Sequence, residues 1–88
     1  MNSRRSAEFR HSYLRLPEAV RSAAQAAYAK FAANPAHPGL HLERLRSDPR
    51  FWSVRLNRNF RAVAYRTGDR WVWIWIGSHE EFDRRFAP

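Results

Sequence analysis

Residues 51–76 constrain the fold most strongly, because three short segments rich in β-forming residues are separated there by tight turns. The segments are residues 51–57 (FWSVRLN), 60–66 (FRAVAYR) and 70–76 (RWVWIWI). In the first of them, Trp52, Val54 and Leu56 alternate with polar residues, which is typical of a strand with one buried face. The pattern predicts an antiparallel meander of three strands.

Helical patterns precede this meander. Residues 6–14 predict a short helix with Phe9 and Tyr13 on one side. Leu16-Pro17-Glu18 predicts the start of a second helix, because proline suits the first helical position and glutamate suits the first turn. Asn34-Pro35 predicts its end. Its apolar stripe has helical spacing and contains Val20, Ala23, Ala24, Ala27, Tyr28 and Phe31.

The remaining segments are less regular. Residues 1–5 are expected to be a disordered basic end, and residues 40–46 (LHLERLR) are predicted to form a first strand. Residues 79–86 are predicted to be a short helical or irregular tail. Helices followed by strands predict one α+β domain over residues 1–88, with N-terminal helices packed on one face of a small twisted antiparallel sheet.

Turn lengths predict which side chains share a face. A two-residue Gly68-Asp69 loop pairs Thr67 with Arg70 and Ala62 with Trp75, and a three-residue loop at 57–59 pairs Arg55 with Arg61. One face then carries Trp52, Val54, Leu56, Phe60, Ala62, Ala64, Trp71, Trp73 and Trp75. The other carries Ser53, Arg55, Arg61, Val63, Tyr65, Val72, Ile74 and Ile76. Large tryptophans complement an alanine-rich helix, so the helices are predicted on the tryptophan face. A two-residue loop in place of 57–59 would separate the two arginines.

Charge indicates the kind of partner. Lys and Arg total 16 against 8 Asp and Glu, a formal charge of +8, and 15 of the 16 cations are arginine. Such a surface favours polyanions such as nucleic acid, the ribosome or an acidic protein, although genome composition is an alternative reason for the arginine preference. No long apolar run or signal-peptide core is present, so a soluble cytoplasmic protein that does not bind membranes is expected.

Metal and cofactor sites are not expected. The chain has no cysteine, which excludes disulfides and thiolate ligands. The pair His37 and His41 spans a Pro-Gly turn and lacks a third ligand. The four tryptophans could stack on bases, but their alternation within strands favours core packing.

Arg55, Arg61 and His79 are the residues that could carry chemistry. Adjacent like charges on a sheet repel each other, and an anion such as an RNA phosphate would relieve the conflict. An acidic peptide would do so as well, and the plain alternative is a solvated face with arginines paired to glutamates. His79 follows the last strand and could exchange a proton near neutral pH, although a lone histidine is more often a surface or capping residue. Cleavage of RNA through its own 2′-hydroxyl needs a base, an acid and cations for the phosphorane charge.

The ordered set of segments resembles the RelE/ParE toxin superfamily over residues 9–86. The resemblance is carried by LPEAVRSAAQAAYAKFAANPAHPGL, LHLERL, FWSVRL, NFRAVAY and WVWIWIGSHEEF. Its most recognisable marks are Phe60-Arg61 at the start of a strand and Gly77-Ser78-His79 after the last one. The resemblance implies a helical hairpin on a twisted antiparallel sheet and an acidic cognate antitoxin that wraps the toxin.

The resemblance also implies an activity. Members similar to RelE cleave mRNA on the ribosome, and carried over to this chain the catalytic residues are Arg55, Arg61 and His79. The expected RNA-binding residues are Arg55, Arg58, Arg61 and Arg66. Two positions depart from the pattern: Phe82 stands where a tyrosine is common, and Ser53 stands where some nucleases have lysine.

The leading expectation is therefore the toxin of a type II toxin–antitoxin system, acting as a ribosome-dependent mRNA endonuclease that needs no metal or other cofactor. The alternative is a DNA gyrase inhibitor similar to ParE, or a catalytically degenerate module that binds an acidic antitoxin. A general RNA-binding domain without a partner gene is a third reading.

Overall fold

The computed structural model describes residues 2–86 and arranges them as five strands in one sheet with three α-helices and one short 3-10 helix. The strand order is β1-β5-β4-β3-β2. In chain order the elements are β1 Asn2–Arg5, α1 Ala7–Leu14, α2 Glu18–Ala33, the 3-10 helix Pro38–Leu40, β2 Glu43–Arg44, β3 Phe51–Arg55, β4 Phe60–Thr67, β5 Arg70–Ser78 and α3 His79–Phe86. The α+β class is confirmed. Within residues 2–86, none of the helices is long and apolar enough to cross a membrane.

The N-terminal helices α1 and α2 pack on one side of the sheet, here called the helix face, which carries Trp52, Val54, Ala62, Ala64, Trp71 and Trp73. Phe31 of α2 is 1% exposed, and its ring meets the rings of Trp71 and Trp73 edge-on at 5.1 Å each. The predicted match of tryptophans with an alanine-rich helix is confirmed. Tyr28 was predicted in the buried stripe of α2 but does not belong to it, because its side chain is 45% exposed.

Residues 2–5 form a strand, so the expectation of a disordered N-terminal end is wrong for these residues, and Met1 lies outside the described part. β1 pairs in parallel with β5, which makes the sheet mixed rather than purely antiparallel. Trp73 explains the attachment: its buried indole N–H donates to Ser3 Oγ at 3.1 Å, and its carbonyl accepts the Ser6 N–H at 2.9 Å. The polar sequence of β1 has no apolar pattern, so only the free edge of β5 selects this conformation.

The predicted strand at residues 40–46 is reduced to Glu43–Arg44. Leu40 belongs to the 3-10 helix instead and is 1% exposed in the core. His41 follows it in the left-handed region, at φ 48°, which interrupts an extended chain. The strand therefore begins only after the backbone has turned.

A register shift in the β4–β5 ladder corrects the predicted position of Trp75. The Gly68-Asp69 loop and the predicted Thr67–Arg70 pair are confirmed, but beyond the Ala64–Trp73 pair Val63 pairs with Trp75 and Ala62 with Ile76. One extra residue of β5 is accommodated there, as in a β-bulge. Trp75 is thereby moved off the helix face, and Ile76 takes its place in the main core.

The opposite side of the sheet, here called the second face, carries Ser53, Arg55, Arg61, Val63 and Trp75. Helix α3 covers part of it: the rings of Phe82 and Phe86 lie 6.3 Å and 5.4 Å from Trp75. A capping box starts α3, because the Glu81 N–H donates to Ser78 Oγ at 3.2 Å and the Ser78 N–H donates to Glu81 Oε1 at 3.4 Å. The spacing Ser78-x-x-Glu81 is itself a sequence signal for the start of a helix.

Gly77 is a position where a side chain does not fit. A Cβ added there would lie 2.6 Å from Cζ2 of Trp75, whose ring is held by α3. We expect Gly77→Ala to lower the free energy of unfolding by about 1–3 kcal/mol, the usual cost of overpacking. Denaturant unfolding measures it. In a Trp75→Phe background the same substitution should cost clearly less, and an equal cost in both backgrounds would contradict the close contact.

Candidate functional site

A cleft of about 370 Å³ lies on the second face between the sheet and α3. Arg55 and Arg61 come from β3 and β4, and His79 is the first residue of α3. This cleft is here called the basic cleft; its lining includes His41, Glu43, Arg44, Arg46, Ser53, Arg55, Arg61, His79 and Phe82. The three residues predicted as catalytic are therefore brought together by the fold.

The turn at residues 56–59 sets the two arginines side by side. Arg55 and Arg61 are direct cross-strand partners, which confirms the predicted register. Within the turn, the Asn59 N–H donates to Asn57 Oδ1 at 2.9 Å, and the Leu56 N–H donates to the Phe60 carbonyl at 3.1 Å. Arg61 Nη1 donates to the carbonyls of Asn57 and Phe60 at 2.9 and 3.0 Å. The guanidinium of Arg61 is thus oriented before any ligand arrives.

The surroundings of Arg61 disfavour the charged form of its guanidinium. Burial is the main cause that lowers the pKa of Arg61, and the neighbouring Arg55 lowers it further, while Asp83 and Glu43 act in the opposite direction. Among the ion pairs of residues 2–86, none closer than 4.0 Å involves Arg55 or Arg61. An anion bound between the two arginines would favour the charged form of Arg61 and oppose both effects.

His79 is oriented from three sides. Its backbone N–H donates to the Asn59 carbonyl at 2.7 Å, which ties the start of α3 to the turn that carries the arginines. Its Nε2 lies 3.3 Å from Oδ2 of Asp83, one helical turn further along. Its ring stacks on Phe82 at an interplanar angle of 21°. With a side chain that is 46% exposed, His79 remains accessible to a substrate.

Two cleft residues were missed by sequence reasoning. Glu43 lines the cleft opposite Ser53, and it places a carboxylate close enough to influence Arg61. His41 reaches the cleft after the left-handed turn at the end of the 3-10 helix. Neither position had a local signal, because a two-residue edge strand leaves no periodicity to read.

The other two predicted RNA-binding arginines lie elsewhere. Arg58 is exposed in the turn at 56–59 and does not line the cleft. Arg66 lies on the helix face, where its guanidinium carbon is 4.8 Å from the centre of the Trp71 ring. An even number of positions separates Arg66 from Ala64 and Ala62, so it is directed away from Arg61.

The predicted departures have structural roles. Ser53 is buried at the floor of the cleft beside Val63. Phe82 packs against Trp75 and His79, so the ring that replaces a tyrosine supports both the core and the imidazole. His37 caps its own turn, since its Nδ1 accepts the Gly39 N–H at 3.0 Å. In residues 2–86, no three His, Cys, Asp or Glu side chains are grouped to hold a metal ion.

A second, larger cleft of about 630 Å³ lies between the helical hairpin and the sheet. Here called the apolar cleft, it is lined by Phe9, Tyr13, Phe31, Leu56, Trp73 and Ile76, with Arg4, Arg5 and Arg10 also on its wall. None of these lining residues is a histidine or carries a carboxylate.

Several solved structures share the fold of this chain. A YoeB/ParE toxin from Agrobacterium tumefaciens is 19% identical, with 90% of this chain and 99% of that chain covered at a TM-score of 0.70. The RelB–RelE antitoxin–toxin complex from Methanococcus jannaschii is 11% identical, with 93% of this chain and 96% of that chain covered at a TM-score of 0.76. YafQ from E. coli is 10% identical, with 92% of this chain and 96% of that chain covered at a TM-score of 0.71. A search of curated protein sequences found no match.

The family comparison covers most of the domain. Residues 18–84 match the family described as the ParE-like toxin domain. The match spans α2, the whole β2–β5 meander and most of α3, and therefore includes every residue of the basic cleft named above. The chain belongs to the ParE-like toxin domain family, and it is a toxin of the RelE/ParE superfamily of toxin–antitoxin systems.

Proposed function

We propose that this toxin is a ribosome-dependent mRNA endonuclease and that the basic cleft is its active site. The observation that carries the proposal is the meeting of Arg55, Arg61 and His79 in one cleft with a carboxylate, Glu43. A surface that only binds an anion does not need Glu43 and His79, which can exchange protons, beside two arginines that lack ion-pair partners within residues 2–86. The fold neighbours RelE, YoeB and YafQ agree with this choice at the level of the fold.

The cleft residues can supply each requirement of cleavage through the 2′-hydroxyl. Glu43 accepts the 2′-hydroxyl proton, O2′ attacks phosphorus, and the bond to the 5′-oxygen breaks as His79 donates a proton to it. The products are a 2′,3′-cyclic phosphate and a 5′-hydroxyl. Arg55 and Arg61 stabilise the negative charge of the phosphorane. Asp83 orients the imidazole through its contact with Nε2.

We expect His79→Ala to lower mRNA cleavage by about 10²–10⁴-fold, the usual contribution of a general acid or base. The measurement is induction of the toxin without antitoxin, followed by mapping of new mRNA 5′ ends on ribosomes. His11→Ala is the matched control, since His11 is exposed on α1 away from the cleft. Growth arrest with intact transcripts would rule out the nuclease, and full cleavage by His79→Ala would remove the proposed acid.

The second candidate is a protein that acts by binding, either as an inhibitor of DNA gyrase or as a degenerate partner of its antitoxin. Phe82 favours it, because the ring packed on His79 has no hydroxyl to add to the chemistry. The same induction experiment separates the two functions. Relaxed or cleaved DNA with unbroken mRNA would select gyrase inhibition.

We also propose an acidic antitoxin as the cognate partner. The formal charge of +8 favours an acidic protein, and the apolar cleft offers room for apolar side chains with Arg4, Arg5 and Arg10 at its wall. One fold neighbour was itself solved as an antitoxin–toxin complex. Co-purification with the product of the adjacent reading frame tests the proposal. A Leu56→Glu variant should lose that product, whereas Arg55→Gln should retain it.

A further inference from the structure

Two arginines and two tryptophans form a stack on the helix face of the sheet, with Arg44 on the edge strand that also borders the basic cleft. The guanidinium carbon of Arg44 lies 5.0 Å from the centre of the Trp52 ring. That of Arg66 lies 5.6 Å from Trp52 and 4.8 Å from Trp71. The two indoles meet at 5.8 Å. This group is here called the arginine–tryptophan stack: Arg44, Trp52, Arg66 and Trp71.

The stack holds two positive charges in place without a counter-ion. Both arginines are exposed, and neither takes part in the ion pairs of the described chain. Arg66 Nε donates to the Gly68 carbonyl at 3.0 Å, which fixes its plane further. Stacking on an indole restrains a guanidinium but leaves its N–H edge free to donate to an anion. Such pre-organised cations favour an anionic ligand over bulk solvent.

We infer that the arginine–tryptophan stack is a second nucleic-acid contact, which binds the phosphodiester backbone of a duplex through groups other than Arg55, Arg61 and His79. The Trp52 ring is already covered by guanidiniums, so it has little surface left for a base. Contacts to phosphate through arginine edges need no particular sequence. The inference goes beyond the proposed nuclease activity and does not require it.

A nucleic acid fits the stack better than a protein does. Protein interfaces have an apolar centre and a polar rim, whereas the accessible groups here are cations over a half-buried ring. The apolar cleft is the surface with the composition of a protein interface. Trp52, Arg66 and Trp71 lie on the opposite face from Arg55 and Arg61, so a structured RNA can be held at the helix face while another strand enters the basic cleft.

Arg50 provides a matched control within the same chain. Its guanidinium carbon also lies over an aromatic ring, 5.7 Å from the centre of Tyr65, but Asp48 neutralises it at 2.7 Å. Arg50 and Arg66 therefore share stacking and charge and differ in the counter-ion. Removal of either one changes the net charge by the same amount.

The experiment measures Kd for a fluorescein-labelled RNA duplex, and for a DNA duplex of the same sequence, at several salt concentrations. We expect Arg44→Gln and Arg66→Gln each to weaken binding roughly tenfold at 0.1 M salt and to lower the slope of log Kd against log salt by about 1, because one phosphate contact is lost. Arg66→Lys should fall between wild type and Arg66→Gln. Arg50→Gln should stay within about twofold of wild type, since its charge is already paired. Weaker binding of the RNA duplex alone, or of both duplexes, by the Arg44 and Arg66 variants supports the inference. Comparison of the RNA and DNA duplexes then shows which nucleic acid is preferred.

Tryptophan emission gives a second readout. Trp52 is less buried than Trp71, Trp73 and Trp75, so an emission change on binding should disappear in Trp52→Phe. Equal weakening by Arg50→Gln and Arg66→Gln would overturn the inference, because net charge alone would then account for binding. Weaker binding of a polyglutamate peptide with unchanged duplex affinity would also overturn it. A thermal melt of each variant checks the fold, and mRNA cleavage is followed separately, so failure of the nuclease proposal is recognised independently.

Discussion

Replacement of Arg61 with glutamine is expected to lower ribosome-dependent mRNA cleavage by about 10²–10³-fold, the usual cost of removing one group that stabilises transition-state charge. Two backbone carbonyls hold Nη1 of Arg61, so the guanidinium needs no reorganisation to meet the phosphorane. Glutamine can occupy the position but supplies no charge. Cleavage of a defined mRNA on purified ribosomes measures the loss.

The same substitution should leave the fold intact. Burial and Arg55 already lower the pKa of Arg61, which means that the folded state disfavours its charge. The free energy of unfolding should therefore stay within about 1 kcal/mol of wild type. Arg70→Gln is the matched control, because Arg70 lies at the far end of the β4–β5 ladder and should keep full activity. Full cleavage by Arg61→Gln, or equal losses in both variants, would refute the assigned role.

Replacement of Phe31 with alanine is expected to have the largest effect on stability, a loss of about 3–5 kcal/mol in the free energy of unfolding. Phe31 is 1% exposed and contacts both Trp71 and Trp73 through edge-on ring packing. Its removal leaves a cavity between α2 and the sheet. Because small domains are stable by only about 5–15 kcal/mol, much of the folded population and the toxicity should be lost near growth temperature.

Tyr28→Ala is the control for this prediction. Tyr28 lies on the same helix, and its ring is 6.3 Å from that of Phe31, but its side chain is 45% exposed. Its removal should cost no more than about 1 kcal/mol. Urea unfolding followed by circular dichroism gives both values. Similar costs for the two variants would show that the packing on the tryptophans is not what holds α2.

Local patterns predicted the parts of the fold that local physics controls. The alternation of Trp52 and Val54, the two-residue loop at Gly68-Asp69 and the helical spacing of Ala27 and Phe31 all depend on residues close in sequence. The adjacency of Arg55 and Arg61 followed from one turn length and is confirmed. The roles of Arg55, Arg61 and His79 in catalysis remain predictions.

Parts that depend on distant partners could not be read in this way. The strand Asn2–Arg5 exists because β5 offers a free edge and Trp73 an indole N–H, and neither is visible in its own polar residues. The extra residue in β5 shifts Trp75 to the second face, and a one-residue slip always exchanges the faces of the residues beyond it.

The amino-acid sequence by itself determined the meander of β3, β4 and β5, the amphipathic helix α2 and the pairing of the two arginines, since periodicity and turn length are local properties. Only the tertiary structure decided that α3 folds over the second face, with Phe82 and Phe86 on Trp75, and thereby forms the basic cleft. It also decided that Glu43 joins the cleft and that Arg66 faces the other way. The physical reason is that a cleft is made by side chains from separate elements, whose approach depends on packing across the whole domain.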